Sequence, residues 1–426
     1  MASFDRVIWV VLDGVGAGEL PDAQAFGDLK SDSLGNLARE FKKIEGRALR
    51  IPELQKLGVA NLTPMEGVER LALDKQAPPV AAHPHVIAFG KAIEHSTGKD
   101  TTSGHWEMAG FIVKKTFQTF PNGFPQPILD RWIRECKLPG VLANCVASGT
   151  EIIEKFGAEH LATGKPILYT SADSVWQVAA HEESFGLERL LEICKKARVI
   201  GDELNISRVI ARPFIGNPAN GKPFQRTYNR KDYAQMPEQK TILDHLVAQN
   251  IPVIGIGKIS NIFCGQGVTN NIDTAGNTDG VEVLKQQIQT TKQGLLFCNL
   301  IDFDMLYGHR RDVRGYGLAL EEFDRHLPEI LKGMNERDLL VIASDHGNDP
   351  TYRGTDHTRE YIPVLAYAKR LSATQSVKDL GVLSGFADVG ATVLHALTQA
   401  DASKEFLAQS FSPELAGKSF LNRLLS

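Results

Sequence analysis

Cysteine does not hold this chain together. The five cysteines, Cys136, Cys145, Cys194, Cys264 and Cys298, are odd in number and include no C-x-x-C pair. That excludes a disulfide framework and a thiolate zinc site, and it predicts a reducing, cytoplasmic setting. Excess positive charge is also missing. With 47 Lys and Arg against 51 Asp and Glu, the net charge is −4, and no basic block occurs, so no nucleic-acid partner is expected. Long hydrophobic runs are absent from the start of the chain. Val7 to Leu12 follows Asp5 and Arg6 and is too short for a signal-peptide core or a membrane span, so no membrane partner is expected either.

What remains is an ordinary globular composition, 42% hydrophobic and 23% charged over 426 residues, long enough for two or three domains. The β-branched run from Arg6 to Leu12 reads as a strand covered on both faces. Similar runs are Val86 to Phe89, Ile251 to Ile256, Leu295 to Ile301, Leu339 to Ser344 and Val364 to Tyr367, with helical patterns such as Ser33 to Phe41 and Leu318 to Met334 between them. This alternation predicts an α/β fold, a mostly parallel sheet covered by helices on both faces. The turn-rich stretch Phe117 to Pro127 breaks the rhythm. From there to about residue 235 a second series of strands and helices predicts a smaller α/β domain inserted in the first, giving core 1–116, insertion 117–235 and core 236–426. The polar stretch Asn217 to Asp232 reads as a long returning loop.

In open sheets of this kind, ligands bind beyond the carboxyl ends of the strands. Directly after the first strand, Asp13 precedes Gly14-Val-Gly16-Ala-Gly18-Glu19, in which Glu19 stands where a dinucleotide fingerprint needs Gly or Ala. Asp304 and His309 follow another strand, Asp345 and His346 a third, and His357 lies shortly beyond. Any one of these could be a helix cap or a structural histidine. Together, at one edge, they would repel one another and resist desolvation without cations, so two divalent ions are expected, and mixed carboxylate and imidazole ligands suit manganese or zinc. Such a pair lowers the pKa of a coordinated hydroxyl and neutralises charge during in-line phosphoryl displacement. The stretch Asp100-Thr101-Thr102-Ser103-Gly104-His105, a capped turn when taken alone, then offers Thr101 as the nucleophilic hydroxyl.

The strings Asp13-Gly-Val-Gly, Gly98-Lys-Asp-Thr-Thr-Ser-Gly-His-Trp-Glu107, Asp302-Phe-Asp-Met-Leu-Tyr-Gly-His-Arg-Arg-Asp312, Ser344-Asp-His-Gly-Asn-Asp-Pro350 and Asp356-His-Thr-Arg-Glu360 together resemble the bacterial phosphopentomutase family of the alkaline phosphatase superfamily, in the same order over nearly the whole chain. The resemblance implies an alkaline-phosphatase-like core with an inserted cap. It implies interconversion of ribose 1-phosphate and ribose 5-phosphate, and of the 2-deoxyribose pair, in nucleoside salvage through a phosphorylated Thr101 and a sugar 1,5-bisphosphate. It further implies two manganese ions, one held by Asp304, His309 and His357 and the other by Asp13, Asp345, His346 and Thr101, with a sugar bisphosphate as the activator that primes Thr101. Substrate contacts implied by the same resemblance are Ser171, Asp173, Val175, Arg212, Phe214, Arg226 and Lys258. Pentose phosphates are the expected partners, and the sequence leaves the oligomeric state open, a monomer being compatible with it. Three alternatives remain at this point. They are a metal-dependent phosphatase, a cofactor-independent phosphoglycerate mutase, whose nucleophile loop differs from this one, and a catalytically silent sugar-phosphate binding protein.

Overall fold

Residues 4–73, 85–115, 117–171, 174–369, 376–398 and 416–425 are described by the structure, a computed structural model. The chain divides into two units, Met1–Lys114 with Pro237–Ser426, and Lys115–Met236. Among the described residues the strands are β1 (Arg6–Leu12), β2 (His85–Ala92), β3 (Leu142–Val146), β4 (Ile167–Thr170), β5 (Val175–His181), β6 (Arg208–Asn217), β7 (Lys222–Arg226), β8 (Lys231–Ala234), β9 (Val253–Ile256), β10 (Asn270–Ile272), β11 (Gly294–Leu300), β12 (Asp338–Ala343), β13 (Ile362–Lys369) and β14 (Ser376–Leu383).

The larger unit is built on a sheet of order β10-β9-β11-β1-β12-β13-β2-β14. Every neighbouring pair is parallel except the two made by β13, which runs antiparallel to β12 and β2. The fold is therefore α/β with a mostly parallel sheet. Period-two side-chain alternation explains why the central strands are apolar throughout. Ile8, Val10, Leu12, Leu296, Cys298 and Leu300 face one core, together with Leu34, Leu37 and Phe41 of the helix Ser33–Glu45 and Leu320 and Leu327 of the helix Val313–Gly333. On the other face Trp9 stacks on Phe297 at 4.2 Å, and the helix Ala387–Thr398, buried from Ala387 to Leu397, also packs against β1. Burying each such large side chain stabilises the unit by about 1.5–3 kcal/mol.

Register turns this sheet into a scaffold for a site. Leu12 pairs with Leu300 and Val11 with Ala343, so the residues that follow β1, β11 and β12 leave the sheet at one edge. The antiparallel β13 enters at that edge with Ile362, paired with the last residue of β2, Ala92. The segments that precede β13 and follow β2 therefore start there too.

The smaller unit carries a separate sheet, β3-β4-β5-β6-β7, with β8 also on β6. The stretch read from sequence as a long loop, 217–232, contains β7 and the first half of β8. Both pair antiparallel with β6, β7 beside its carboxyl half and β8 beside its amino half. Their residues are mostly exposed, so no apolar alternation marks them. Backbone pairing alone makes them strands.

Candidate active site

The hydroxyl-rich stretch is not a loop. Thr101 opens a helix, Thr101–Met108, whose N-cap is Asp100, with carboxylate oxygen Oδ1 accepting from Thr102 N (3.0 Å) and Ser103 N (3.1 Å). Capping by an Asp side chain satisfies donors that a helix start otherwise leaves open. Thr101 is left in the first turn with its Oγ1 3.2 Å from His346 Nε2. Gly104 lets this helix lie against the chain just after β12, since a Cβ there would come 2.6 Å from the Asp345 carbonyl carbon.

Two groups of ligand-type side chains converge beside Thr101. Asp304, His309 and His357 form one, and Asp13, Asp304 and His346 the other, so Asp304 belongs to both. His309 Nε2 lies 3.2 Å and His357 Nε2 3.3 Å from the Asp304 carboxylate. His346 Nε2 is 3.4 Å from Asp13 and 3.4 Å from Asp345. The imidazoles of His346 and His309 are held by their other nitrogens, Nδ1 of His346 against the Gly347 carbonyl (3.1 Å) and Nδ1 of His309 against the Thr355 carbonyl (2.6 Å). A carbonyl only accepts, so each Nδ1 carries a proton and each Nε2 is left to present its lone pair, which is how protein imidazoles are oriented toward metals.

The electrostatics show how strongly the carboxylates and imidazoles act on one another. Burial, then the neighbouring charge of Asp345, push the Asp13 carboxyl up to about 6. At Asp304 burial works in the same direction, but His357, His309 and His346 overcome it and hold that carboxyl well below its usual range. Burial disfavours a charged His346, yet Asp345, Asp304 and Asp13 outweigh it and raise the imidazole well above its ordinary value. Asp13 Oδ1, Asp345 Oδ2 and His357 Nε2 are buried and, among the described residues, have ionic neighbours but no aligned hydrogen-bond partner. Buried acceptors of this kind are costly unless something positive meets them, so this donor set fits divalent cations.

Several residues that no local pattern marked support these groups. His105 is fully buried, with Nδ1 2.9 Å from the Thr101 carbonyl and 3.1 Å from Asp345, and Nε2 3.4 Å from Asn299 Nδ2. Asn299 in turn donates to Asp13 Oδ2 at 2.7 Å. Arg359 is buried with Glu94 (2.7 Å) and donates to the carbonyls of Ser96 (2.9 Å) and Gly98 (2.7 Å), tying the segment before β13 to the one that leads into Thr101. Glu360 accepts from Ser33 N (2.7 Å), Ser33 Oγ (2.8 Å) and Thr358 Oγ1 (2.6 Å) beneath the same loops. A single Arg or Glu in sequence gives no signal for such roles, because Gly98, Ser96 and Ser33 are 261 or more positions away.

The substrate contacts implied by resemblance fall in different places. Lys258 is exposed just past the carboxyl end of β9, on the edge that carries Thr101. The others belong to the smaller unit. Ser171 follows β4, and Val175 is buried at the start of β5. Arg212 is half-buried on β6, its Nε and Nη2 bonded to Gln177 Oε1 at 3.2 and 3.1 Å. Phe214 is fully buried, with its ring 5.4 Å from that of Phe224. Arg226 ends β7 with its guanidinium against Gly149 and Tyr169. Asp173 lies outside the described residues.

A model of the metalloenzyme superfamily matches residues 5–400. A phosphopentomutase from Desulfitobacterium hafniense is 48% identical over 389 residues, 91% of this chain and 94% of the relative. One from Symbiobacterium thermophilum is 48% identical over 394 residues, 92% and 95% of the two chains. One from an Anaeromyxobacter species is 47% identical over 405 residues, 95% and 98%. Solved structures match more distantly, among them a Leishmania mexicana phosphoglycerate mutase at 11% identity and a TM-score of 0.43, covering 93% of this chain and 95% of that one.

Proposed function

We propose a reaction for a chain that belongs to the metalloenzyme superfamily and, within it, to the phosphopentomutase family, whose members are isomerases. It interconverts ribose 1-phosphate and ribose 5-phosphate, and the 2-deoxyribose equivalents. The observation that carries this reading is the placement of Thr101 Oγ1 beside His346 Nε2, at the start of a helix and next to two groups of buried ligand atoms.

Asp304, His309 and His357 would hold one divalent ion, and Asp13, Asp345, His346 and Thr101 the other, with manganese suited to the mixed donors. When bound, such ions neutralise charge on a transferring phosphoryl group and lower the pKa of a nearby hydroxyl. The chain supplies the rest. Thr101 carries the phosphoryl group as an ester, installed by a sugar bisphosphate activator. The 1-hydroxyl of incoming ribose 5-phosphate attacks that phosphorus, the bond from phosphorus to Thr101 Oγ1 breaks, and the proton lost by the sugar hydroxyl balances the one taken up by Thr101. Thr101 then attacks the 5-phosphate of the resulting 1,5-bisphosphate, and its P–O5 bond breaks to leave ribose 1-phosphate. The N-terminus of helix Thr101–Met108 favours the negative charge that gathers at Thr101. His105 fixes the carbonyl of Thr101 and the carboxylate of Asp345, so nucleophile and ligand keep their mutual position. Water must be kept from phosphorylated Thr101, or transfer becomes hydrolysis, and this is the role we assign to the inserted unit, residues 117–235.

One assay that follows isomerisation and inorganic phosphate together tests this. The protein with manganese and a trace of sugar bisphosphate is expected to isomerise ribose 5-phosphate with little phosphate release. Thr101→Ala is expected to abolish turnover, whereas Thr102→Ala keeps it. Phosphate release at the rate of isomerisation would instead identify a phosphatase.

A further inference from the structure

Arg311 stands in a backbone conformation that side chains rarely adopt. Its φ is +54°, in the left-handed region where a Cβ crowds the following carbonyl oxygen, and such strain persists only where the surroundings fix it. The surroundings here are five acceptors. Nε donates to the Gly354 carbonyl (2.6 Å), and Nη2 to the Asp356 carbonyl (2.7 Å). Nη1 donates to the carbonyls of Gly308 (3.0 Å) and Asp349 (2.9 Å) and to Asn348 Oδ1 (2.5 Å). All five are neutral oxygens, so the guanidinium acts here as a rigid fork.

These bonds lead to the ligand groups by two routes. The first is Asn348, fully buried, to which a Cβ at Gly14 would come within 3.2 Å of Cβ and a Cβ at Gly308 within 2.7 Å of Nδ2. A guanidinium only donates and a carboxylate only accepts, so the amide has a single orientation, with Oδ1 toward Arg311 and Nδ2 donating to Asp304 Oδ1 at 2.6 Å. Asp304 is the carboxylate common to both ligand groups. The second route is the turn before His357. Three successive carbonyls of that turn are gripped from one short stretch of chain, those of Gly354 and Asp356 by Arg311 and that of Thr355 by His309 Nδ1. Residues 353–356 are exposed, so polar bonds rather than apolar packing fix their path. Both routes end at one pair, because His357 Nε2 lies 3.3 Å from Asp304 Oδ1, the oxygen that Asn348 holds.

We propose that Arg311 and Asn348 are positioning residues for the cation site of Asp304, His309 and His357, with Arg311 setting the spacing of carboxylate and imidazole through the Asn348 amide on one side and the turn carbonyls on the other. This rests on the two-ion reading above and adds that affinity at one site is decided by a side chain outside the ligand set. Losing the fork leaves every ligand present but lets Asp304 and His357 drift apart.

Titration of metal-stripped protein with manganese, followed by paramagnetic resonance of the free ion, tests the assignment without relying on turnover. Wild type is expected to bind two ions. Arg311→Lys keeps the charge but loses the fork, and is expected to weaken one ion about 10- to 100-fold, the usual worth of partners that orient metal ligands, and to leave the other within about three-fold. Asn348→Ala is expected to weaken the same ion. The double variant should bind it no worse than Arg311→Lys alone, because the amide has already lost its orientation. Arg311→Lys affinities within about two-fold of wild type for both ions overturn the proposal. A double variant whose loss is the product of the single losses does so too, since the residues then act independently. Equal weakening of both ions with a lowered metal-free thermal midpoint marks a purely structural role and likewise overturns it. Wild type that binds fewer than two ions overturns the two-ion reading and the proposal together. If wild type binds two, Arg311→Lys loses one, and wild type fails to isomerise ribose 5-phosphate, the positioning roles stand and the reaction reading falls.

Discussion

Gly104→Ala sets local helix preference against the packing of the site. In an isolated helix the change would stabilise by about 0.5–1 kcal/mol, since glycine is the poorer helix former. Here the added Cβ would sit 2.6 Å from the Asp345 carbonyl carbon and nearer still to its oxygen. Packed heavy atoms keep about 3.5–4.0 Å, so the helix that begins with Thr101 and the chain leaving β12 must part by roughly 1 Å. Neither side yields easily. The obstacle is main chain, His105 pins the helix to Asp345 at 3.1 Å, and Asp345 Oδ1 also accepts from Gly14 N at 3.1 Å. Overpacking of this kind costs about 1–3 kcal/mol, which exceeds the propensity gain, so the thermal midpoint should fall. The larger effect is on chemistry. The 3.2 Å spacing between Thr101 Oγ1 and His346 Nε2 would be lost, and an offset of about 1 Å between reacting groups costs on the order of 100-fold in rate. The assay is isomerase kcat at saturating ribose 5-phosphate with manganese, alongside a melting curve. A variant that melts higher and turns over within two-fold of wild type would refute the reasoning, because it would show that the close approach of helix and strand is not required.

Arg359→Lys keeps one positive charge for Glu94 but cannot reach the carbonyls of Ser96 and Gly98 simultaneously. Leaving buried acceptors unmet costs about 1–3 kcal/mol each, so the midpoint should drop and kcat should fall more than KM rises, as melting curves and steady-state kinetics would reveal. Glu360 is pushed up to about 8, first by burial and then by the charges of Asp349 and Asp32. Its folded-state pKa exceeds the unfolded value, so the folded protein binds the extra proton between about pH 4.5 and pH 8, and stability falls as pH rises through that window. Glu360→Gln should flatten this decline in denaturant midpoints measured from pH 5 to pH 8, and an unchanged slope would assign the titration elsewhere.

Much of the fold was legible in local pattern. The run at Arg6–Leu12 is a strand with the expected bounds, because uninterrupted β-branched and apolar residues leave few alternatives. Asp13, Asp345 and His346 stood out since each follows such a run. Other parts had no local signature. Strands β7 and β8 bury too little to alternate, and Thr101 was read in a loop because a helix of eight residues beginning Thr-Thr-Ser-Gly has no apolar stripe. His105, Asn299, Arg359 and Glu360 each work through at least one partner far away in sequence that only the fold brings near. The sharing of Asp304 between both ligand groups was equally invisible, since spacing along the chain says nothing of which imidazoles meet which carboxylate.

The reversed direction of β13 has a consequence for the order in which the molecule comes apart. Because β13 is antiparallel to β12, the connection between them begins and ends at the site edge, and it alone carries Asp345, His346, His357, Arg359 and Glu360. Its middle, residues 353–356, is exposed, where local opening costs least, and the flanks on either side meet at Asp304, through His346 on one side and His357 on the other. Cations held there, as proposed above, would act as a clasp on a closed loop, offsetting the entropy of ordering it. Hydrogen exchange in this connection, rather than global melting, is therefore the first property to respond when the metal is withdrawn.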